Sequence, residues 1–255
     1  MEQRMDLIAY RNKEIEKKRT DDLMALIPGD SRKTALDIGA WDGWFSLLLA
    51  ERFERVTALD LEKPSIAHPK IQCVKGDATN LAFDNDEFDL VFCAEVLEHI
   101  PSNHLQKVCS ELERVTKKYI LIGVPFKQDI RVGRTKCHTC GKRNPSYGHI
   151  NSFDEHRLKK LFPLCEVKKI SFVGLNNKCT NLLSMLLLDL AGNPYGSYQD
   201  DEWCLHCGAR LKRPLQRNIL QKVLTRMAVY IQNIQQYFHR PQPNWIHILF
   251  EKRKV

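Results

Sequence analysis

From Thr34 onward, short apolar runs rich in β-branched residues recur at Thr34–Ile38, Arg55–Asp60, Ile71–Lys75, Phe88–Cys93 and Tyr119–Val124. These runs do not alternate with polar residues, which predicts strands covered on both faces and hence a parallel sheet with crossover helices. Helical periodicity lies between them at Trp44–Glu51 and His104–Val115. A short helix near Pro64 and a turn around Asn80–Asn85 fill the remaining gaps. A charged amphipathic helix precedes the first strand. Further on, a helix at Asp154–Leu161 and a strand at Glu166–Val173 continue the rhythm. Apolar residues at Ile219, Leu220, Val223, Leu224, Met227, Ile231 and Ile234 mark a long helix over about Arg217–Phe238. The closing PQPNWIHILFEKRK reads as a last strand. The expected fold is α/β, doubly wound, with a mostly parallel seven-stranded sheet.

Two stretches break the pattern, about 129–147 and 192–214, and each carries a Cys-x-x-Cys-Gly. The chain is therefore read as a 1–125 half with the nucleotide-binding strands and a 126–255 half with two insertions and the long helix. Charge follows the same division. Residues 1–125 hold 17 Lys and Arg against 22 Asp and Glu, and residues 126–255 hold 22 against 9. The second half is where an anionic partner would dock. No run reaches the roughly 20 apolar residues of a membrane-spanning helix. The longest, Leu182–Leu190, is short and carries Asp189. With no apolar leader at its start, the chain is expected in the cytoplasm.

"ALDIGAWDGWFS" (35–46) runs from strand through a glycine turn into a helix. Gly39 and Gly43 let a ligand approach the backbone and meet the helix N-terminus. Asp37 precedes the turn. Asp60 ends the next strand about 20 residues on, where a carboxylate can accept ribose hydroxyls. Asp77 follows the third strand, placed for an adenine amino group. With "VTALDL", "KGDATNLAF", "FDLVFCAEVLEHI" and "YILIGVPF", the stretch from about 30 to 175 resembles the class I S-adenosylmethionine-dependent methyltransferases. The resemblance implies a Rossmann-like methyltransferase fold and a cofactor site of Asp37, Gly39, Trp41, Gly43, Asp60, Leu61, Asp77, Ala78 and Ala94. Trp41 stands where that family usually has a glycine. The turn survives this if Trp41 keeps a negative φ, with its ring either lidding the sulfonium or packed under the loop.

Glu95, Glu98 and His99 are spaced i, i+3, i+4. A helix after the fourth strand would put them on one face at the strand edge where substrate meets the methyl group. This segment resembles two groups, the ubiquinone-pathway O-methyltransferases and the small-RNA terminal 2′-O-methyltransferases. There, Glu-x-x-Glu-His and a later histidine hold a divalent ion. His149 in "GHINSFDEHRLKKLF" is the matching later histidine, and Mg or another divalent ion would acidify the acceptor hydroxyl. The alternative is a segment that shapes the pocket without metal, with His99 or His149 as general base.

Nine cysteines in a chain expected to be cytosolic point to metal rather than disulfides. Cys137, Cys140, Cys204 and Cys207 form two matching knuckles and together a four-thiolate structural zinc site. The 63 residues between Cys140 and Cys204 assign the halves to separate insertions. Cys73, Cys93, Cys109, Cys165 and Cys179 lie in apolar patterns and read as core.

These features favour an O-methyltransferase acting on a small metabolite, sugar or lipid-linked glycan, with an anionic acceptor suiting the basic half. An RNA ribose 2′-O-methyltransferase is the alternative, though no RNA-binding module is recognisable. A non-catalytic interaction protein fits least with Asp37, Asp60 and Asp77 intact. The long helix is expected to pack on the sheet edge or a partner subunit. Its neighbours Lys212, Arg213, Arg217, Lys222 and Arg226 leave peripheral contact with an anionic membrane open.

Overall fold

The computed structural model describes residues 7–30, 33–198, 202–214 and 216–253. Two compact units emerge, and they do not follow the two halves of the chain. The sheet unit takes residues 13–126, 153–174 and 243–255, and the insertion unit takes 1–12, 127–152 and 175–242.

In the sheet unit, seven strands lie in the order β3-β2-β1-β4-β5-β9-β8. They are β1 (Thr34–Ile38), β2 (Arg55–Asp60), β3 (Ile71–Lys75), β4 (Phe88–Ala94), β5 (Thr116–Pro125), β8 (Cys165–Val173) and β9 (Trp245–Lys252). The first five pair in parallel, while β9 runs antiparallel to both β5 and β8. The order reverses beside β1, which opens a crevice at the carboxyl ends of β1 and β4.

The pleat explains why the strands read as unbroken apolar runs. Leu90 and Phe92 of β4, with Tyr119 and Leu121 of β5, join a core with α2 (Glu14–Leu26) and α3 (Trp44–Ala50). Their neighbours Val91, Cys93, Ile120 and Ile122 join the opposite core, under α4 (Ser102–Val115) and α5 (Glu155–Leu161). Successive residues point to opposite faces, and both faces are covered. α5 begins where Asp154 accepts the Arg157 N–H at 2.7 Å, a side-chain N-cap.

No helix forms near Pro64. That segment stays irregular and delivers Ile66 against the nucleotide loop. The amphipathic N-terminal pattern divides into α1 (Leu7–Arg11) and α2, and its first six residues lie outside those described.

The insertion unit holds α1, a hairpin of β6 (Thr135–Lys136) and β7 (Arg143–Asn144), and the helices α6 (Leu182–Leu190) and α7 (Ile219–Phe238). Buried Asp189 ties these pieces together. It is ion-paired with Arg134, with Arg143 at 2.7 Å, and accepts the Asn193 amide at 2.9 Å. α7 opens with a capping box between Asn218 and Gln221. α6 and α7 pack together, with Asn181 donating to Gln235 at 2.7 Å and Gln232 to Thr180 at 2.8 Å. Among the described residues, no helix is long and apolar enough to cross a membrane.

Candidate active site

The crevice of the sheet unit is built by the loop from β1 into α3. Gly39 and Gly43 hold φ of 74° and 84°, where a Cβ is costly. A Cβ on Gly39 would lie 2.4 Å from Val96 Cγ2, and one on Gly43 would lie 2.4 Å from Ile66 Cδ1. The two glycines thus admit flanking side chains as well as the bend. Leu59 C=O accepts from Gly39 N–H at 2.9 Å and Ala40 N–H at 3.1 Å, locking the loop to β2.

Trp41 departs from the negative φ expected of it, with φ at +44°. Its N–H compensates by donating to Asp60 Oδ2 at 2.8 Å. The ring is 64% exposed, so packing under the loop is not its role. It stands open at the crevice, as does Leu61 after β2.

Asp60 therefore orders the turn with one oxygen, while Oδ1 has no partner among the described residues. Asp77 is exposed, and its Oδ1 accepts the Thr79 N–H at 2.8 Å. That bond holds its carboxyl below the usual range. Ala78 is buried in the turn after β3, and Ala94 is half-buried at the end of β4. Asp37 sits differently. It is buried, takes the Ser46 hydroxyl at 2.6 Å, and thereby pins α3 to β1. Burial pushes its carboxyl up to about 7, Asp60 and Asp42 adding to the rise and Ser46 opposing it.

After β4 the chain does not enter the helix that would align three ligands. Glu95 has φ of +58°, and only a single 3-10 turn follows, Leu97–His99. Glu95 turns instead toward Arg19 of α2, 3.2 Å away, which also pairs with Glu16 at 3.0 Å. Burial raises the Glu95 carboxyl and Arg19 opposes the rise. Glu98 is fully buried, and neither of its oxygens has a hydrogen-bond partner among the described residues. Burial, then the neighbouring Glu95 charge, pushes its pKa well up. His99 is exposed at the end of the turn. His149 belongs to the insertion unit, where its Nδ1 lies 2.7 Å from Gln128 Oε1.

Sequence reasoning missed Ser46 and Arg19, whose partners are distant along the chain or on another element. It also missed a polar trio around the buried His247 of β9. His247 Nδ1 lies 2.6 Å from Asp22 Oδ2, and the Ser171 hydroxyl donates to Asp22 Oδ1 at 2.6 Å. Burial lowers the His247 pKa against the pull of Asp22. No local motif announces this trio.

Within the insertion unit, the four knuckle thiols converge. Cys137 Sγ lies 3.7 Å from Cys207 Sγ, and Cys140 Sγ 3.6 Å from Cys204 Sγ, with all four sulfurs within 4.8 Å of one another. Gly141 and Gly208, at φ of 70° and 67°, make the two reversals. Each returns its N–H to the carbonyl of the first cysteine of its pair, at 3.0 and 2.9 Å. Burial opposes ionisation of Cys204, yet the N–H groups of His206 and Cys207 bring its pKa down to about 6.

Residues 36–120 match a protein family described as a methyltransferase domain. No curated protein sequence matches the chain significantly. Among solved structures, the N-methyltransferase NodS from Bradyrhizobium japonicum WM9 superposes with a TM-score of 0.56 at 12% identity, covering 96% of this chain and 99% of NodS. The 1,6-didemethyltoxoflavin-N1-methyltransferase of Burkholderia thailandensis gives 0.55 at 12% identity, over 96% and 81% of the two chains. An S-adenosylmethionine-dependent methyltransferase from Mesorhizobium loti gives 0.52 at 11%, over 91% and 96%.

Proposed function

Taking as premise the class I S-adenosylmethionine-dependent methyltransferase domain that this chain carries, we propose that it methylates a hydroxyl of a small metabolite, sugar or lipid-linked glycan. Bound S-adenosylmethionine supplies an electrophilic methyl group on a sulfonium. NodS has been solved with S-adenosylhomocysteine, the product of that cofactor. The observation that carries the reading is Asp60. One of its oxygens fixes the loop through Trp41 N–H, and the other is left for a ribose hydroxyl at the mouth of the crevice. Gly39 and Gly43 give the loop its bend, Leu61 and Trp41 offer open apolar surface, and Asp77, Ala78 and Ala94 complete the strand ends. Asp37 acts from below, holding α3 against β1 through Ser46. His99, exposed beside the end of β4, is the residue to take the acceptor proton.

Calorimetry tests the cofactor assignment directly. Asp60→Ala should weaken S-adenosylmethionine binding by about 1–3 kcal/mol, the scale of hydrogen bonds to a charged group. Unchanged affinity would remove the assignment. Transfer of labelled methyl to hydroxylated acceptors against matched amines then decides the acceptor atom. The two N-methyltransferases named above make the amine panel the necessary control.

A second reading keeps the divalent ion at Glu98 and His99, with Glu95 as the further ligand nominated by the Glu-x-x-Glu-His spacing. Glu98 favours it, because a buried carboxylate with both oxygens unpartnered is costly unless something neutralises it. Glu95 weighs against a full set, being engaged by Arg19. Full methyl transfer in excess EDTA would eliminate the ion and leave His99 as base.

The cysteine cluster is proposed as one structural zinc site. A tetrahedral ion with bonds of about 2.3 Å requires sulfurs roughly 3.8 Å apart. The separations of 3.7 and 3.6 Å fit that requirement. Four thiolates close the coordination sphere, so the ion would hold the two insertions together and take no part in transfer.

A further inference from the structure

α6 and α7 are packed the wrong way round for helices of a water-soluble domain. A surface helix normally turns its apolar stripe inward and its polar side to water. On α7 the buried residues are Thr225 and Ala228, and the inward glutamines 232 and 235 bond to Thr180 and Asn181. Most of its apolar residues face out, while Leu224, Val229 and Ile231 are half-buried. Ile219, Val223, Met227, Tyr230, Ile234 and Tyr237 are all exposed, the first at 81% and the last at 85%. Their spacing of three and four places them, with Leu220 and Phe238, within an arc of about 100° on one helix face. α6 repeats the inversion. Ser184 and Asp189 are buried, while Leu182, Leu183, Leu186 and Leu190 are exposed.

We propose that the α6–α7 pair is an interfacial membrane-docking element that inserts these stripes into a bilayer carrying anionic headgroups. Charge selects this occupant. Residues 203–250 contain seven Lys and Arg and no Asp or Glu. Lys222 and Arg226, both exposed, border the apolar arc of α7. The one acid of α6, Asp189, is buried and neutralised by Arg134 and Arg143. A second copy of the chain would bring Lys222 and Arg226 against their own kind, whereas anionic lipid complements them. The tyrosines and Phe238 suit the headgroup boundary, where a ring meets hydrocarbon on one side and water on the other. α7 spans about 30 Å, but Lys222, Arg226 and its glutamines keep it from crossing. It lies in the plane of the surface, as amphipathic interfacial helices do. This inference is independent of the methyl acceptor.

The test is co-sedimentation of the full chain with phosphatidylcholine vesicles, with and without phosphatidylglycerol. Binding should require phosphatidylglycerol and weaken as salt is raised. Lys222→Ala/Arg226→Ala should weaken partition roughly thirtyfold, from the loss of two basic contacts. Ile219→Gln/Met227→Gln/Ile234→Gln should weaken it by more than about tenfold, because that apolar area no longer leaves water. All five positions are exposed, so thermal melting should show both variants folded. No partition on phosphatidylglycerol vesicles at low salt would overturn the proposal, as would partition unchanged in both variants. A dimer dissolved by the triple glutamine variant, without vesicle binding, would assign the face to self-association instead.

Discussion

Asp37→Asn isolates the cost of burying a carboxylate beneath the nucleotide loop. Asp37 rises from 3.8 to about 7 in the native state, with burial the largest cause. Between those values the folded chain holds a proton that the unfolded chain has lost. Stability therefore falls as pH rises through the window, by about 1.4 kcal/mol per pH unit. The full loss approaches about 4 kcal/mol and levels off above pH 7. Asparagine keeps an oxygen for the Ser46 hydroxyl, 2.6 Å away in the parent chain, but cannot ionise. The assay is urea unfolding of both proteins without cofactor, at intervals from pH 5 to 8. Subtracting one stability from the other cancels the remaining titrating groups. The aspartate form should lose ground steadily from pH 5 to 7, so that the variant is the more stable protein at pH 8. A difference that stays flat over this range would refute the buried-carboxylate argument.

Gly39→Ala should cost about 2–4 kcal/mol of stability in thermal or urea unfolding, from a left-handed φ combined with overlap on Val96. A loss under about 0.5 kcal/mol, the scale of a featureless surface site, would contradict the packing described for the loop. Cys137→Ser/Cys204→Ser should abolish stoichiometric zinc by elemental analysis and lower the melting temperature of the insertion unit, because binding and folding free energy are shared there. Stoichiometric zinc retained by that double variant would rule the site out.

The strands were legible from clustered apolar and β-branched residues between turn signals, most clearly in β4, which is covered on both faces. Thr34–Ile38, Arg55–Asp60 and Ile71–Lys75 stand where the apolar pattern puts them. The cysteine knuckles were legible because thiolate spacing and a following glycine leave few other uses for the residues. The segment around Pro64 misled because a gap between strands invites a crossover helix. There the chain remains irregular, and Ile66 fills the space beside Gly43. The helix expected over Glu95–His99 is absent for a different reason. Helical periodicity presumes a helix, and Glu95 leaves the helical region at φ +58° beside Arg19. Pairings such as Arg19 with Glu95, or Asp22 with His247 some 225 residues away, leave no local pattern to read. The long helix was judged by its apolar stripe, which periodicity reveals, but periodicity cannot say which side of the helix is covered.

The position of β9 imposes an order on folding. It lies between β5 and β8 and, among the described residues, is the only strand to which β8 is hydrogen-bonded. In the chain, however, it follows β8 by about 70 residues. A growing polypeptide can assemble β1 to β5 early, but β8 must wait, with its ladder groups open, until the insertion segment has been made. During that interval the edges of β5 and β8 are exposed templates for foreign strands. The sheet is completed next to its edge, by a late strand closing a gap between two earlier ones. Removing residues 243–253 should thus leave both edges unpaired and the truncated chain prone to aggregation, with α2 losing the strand that carries His247.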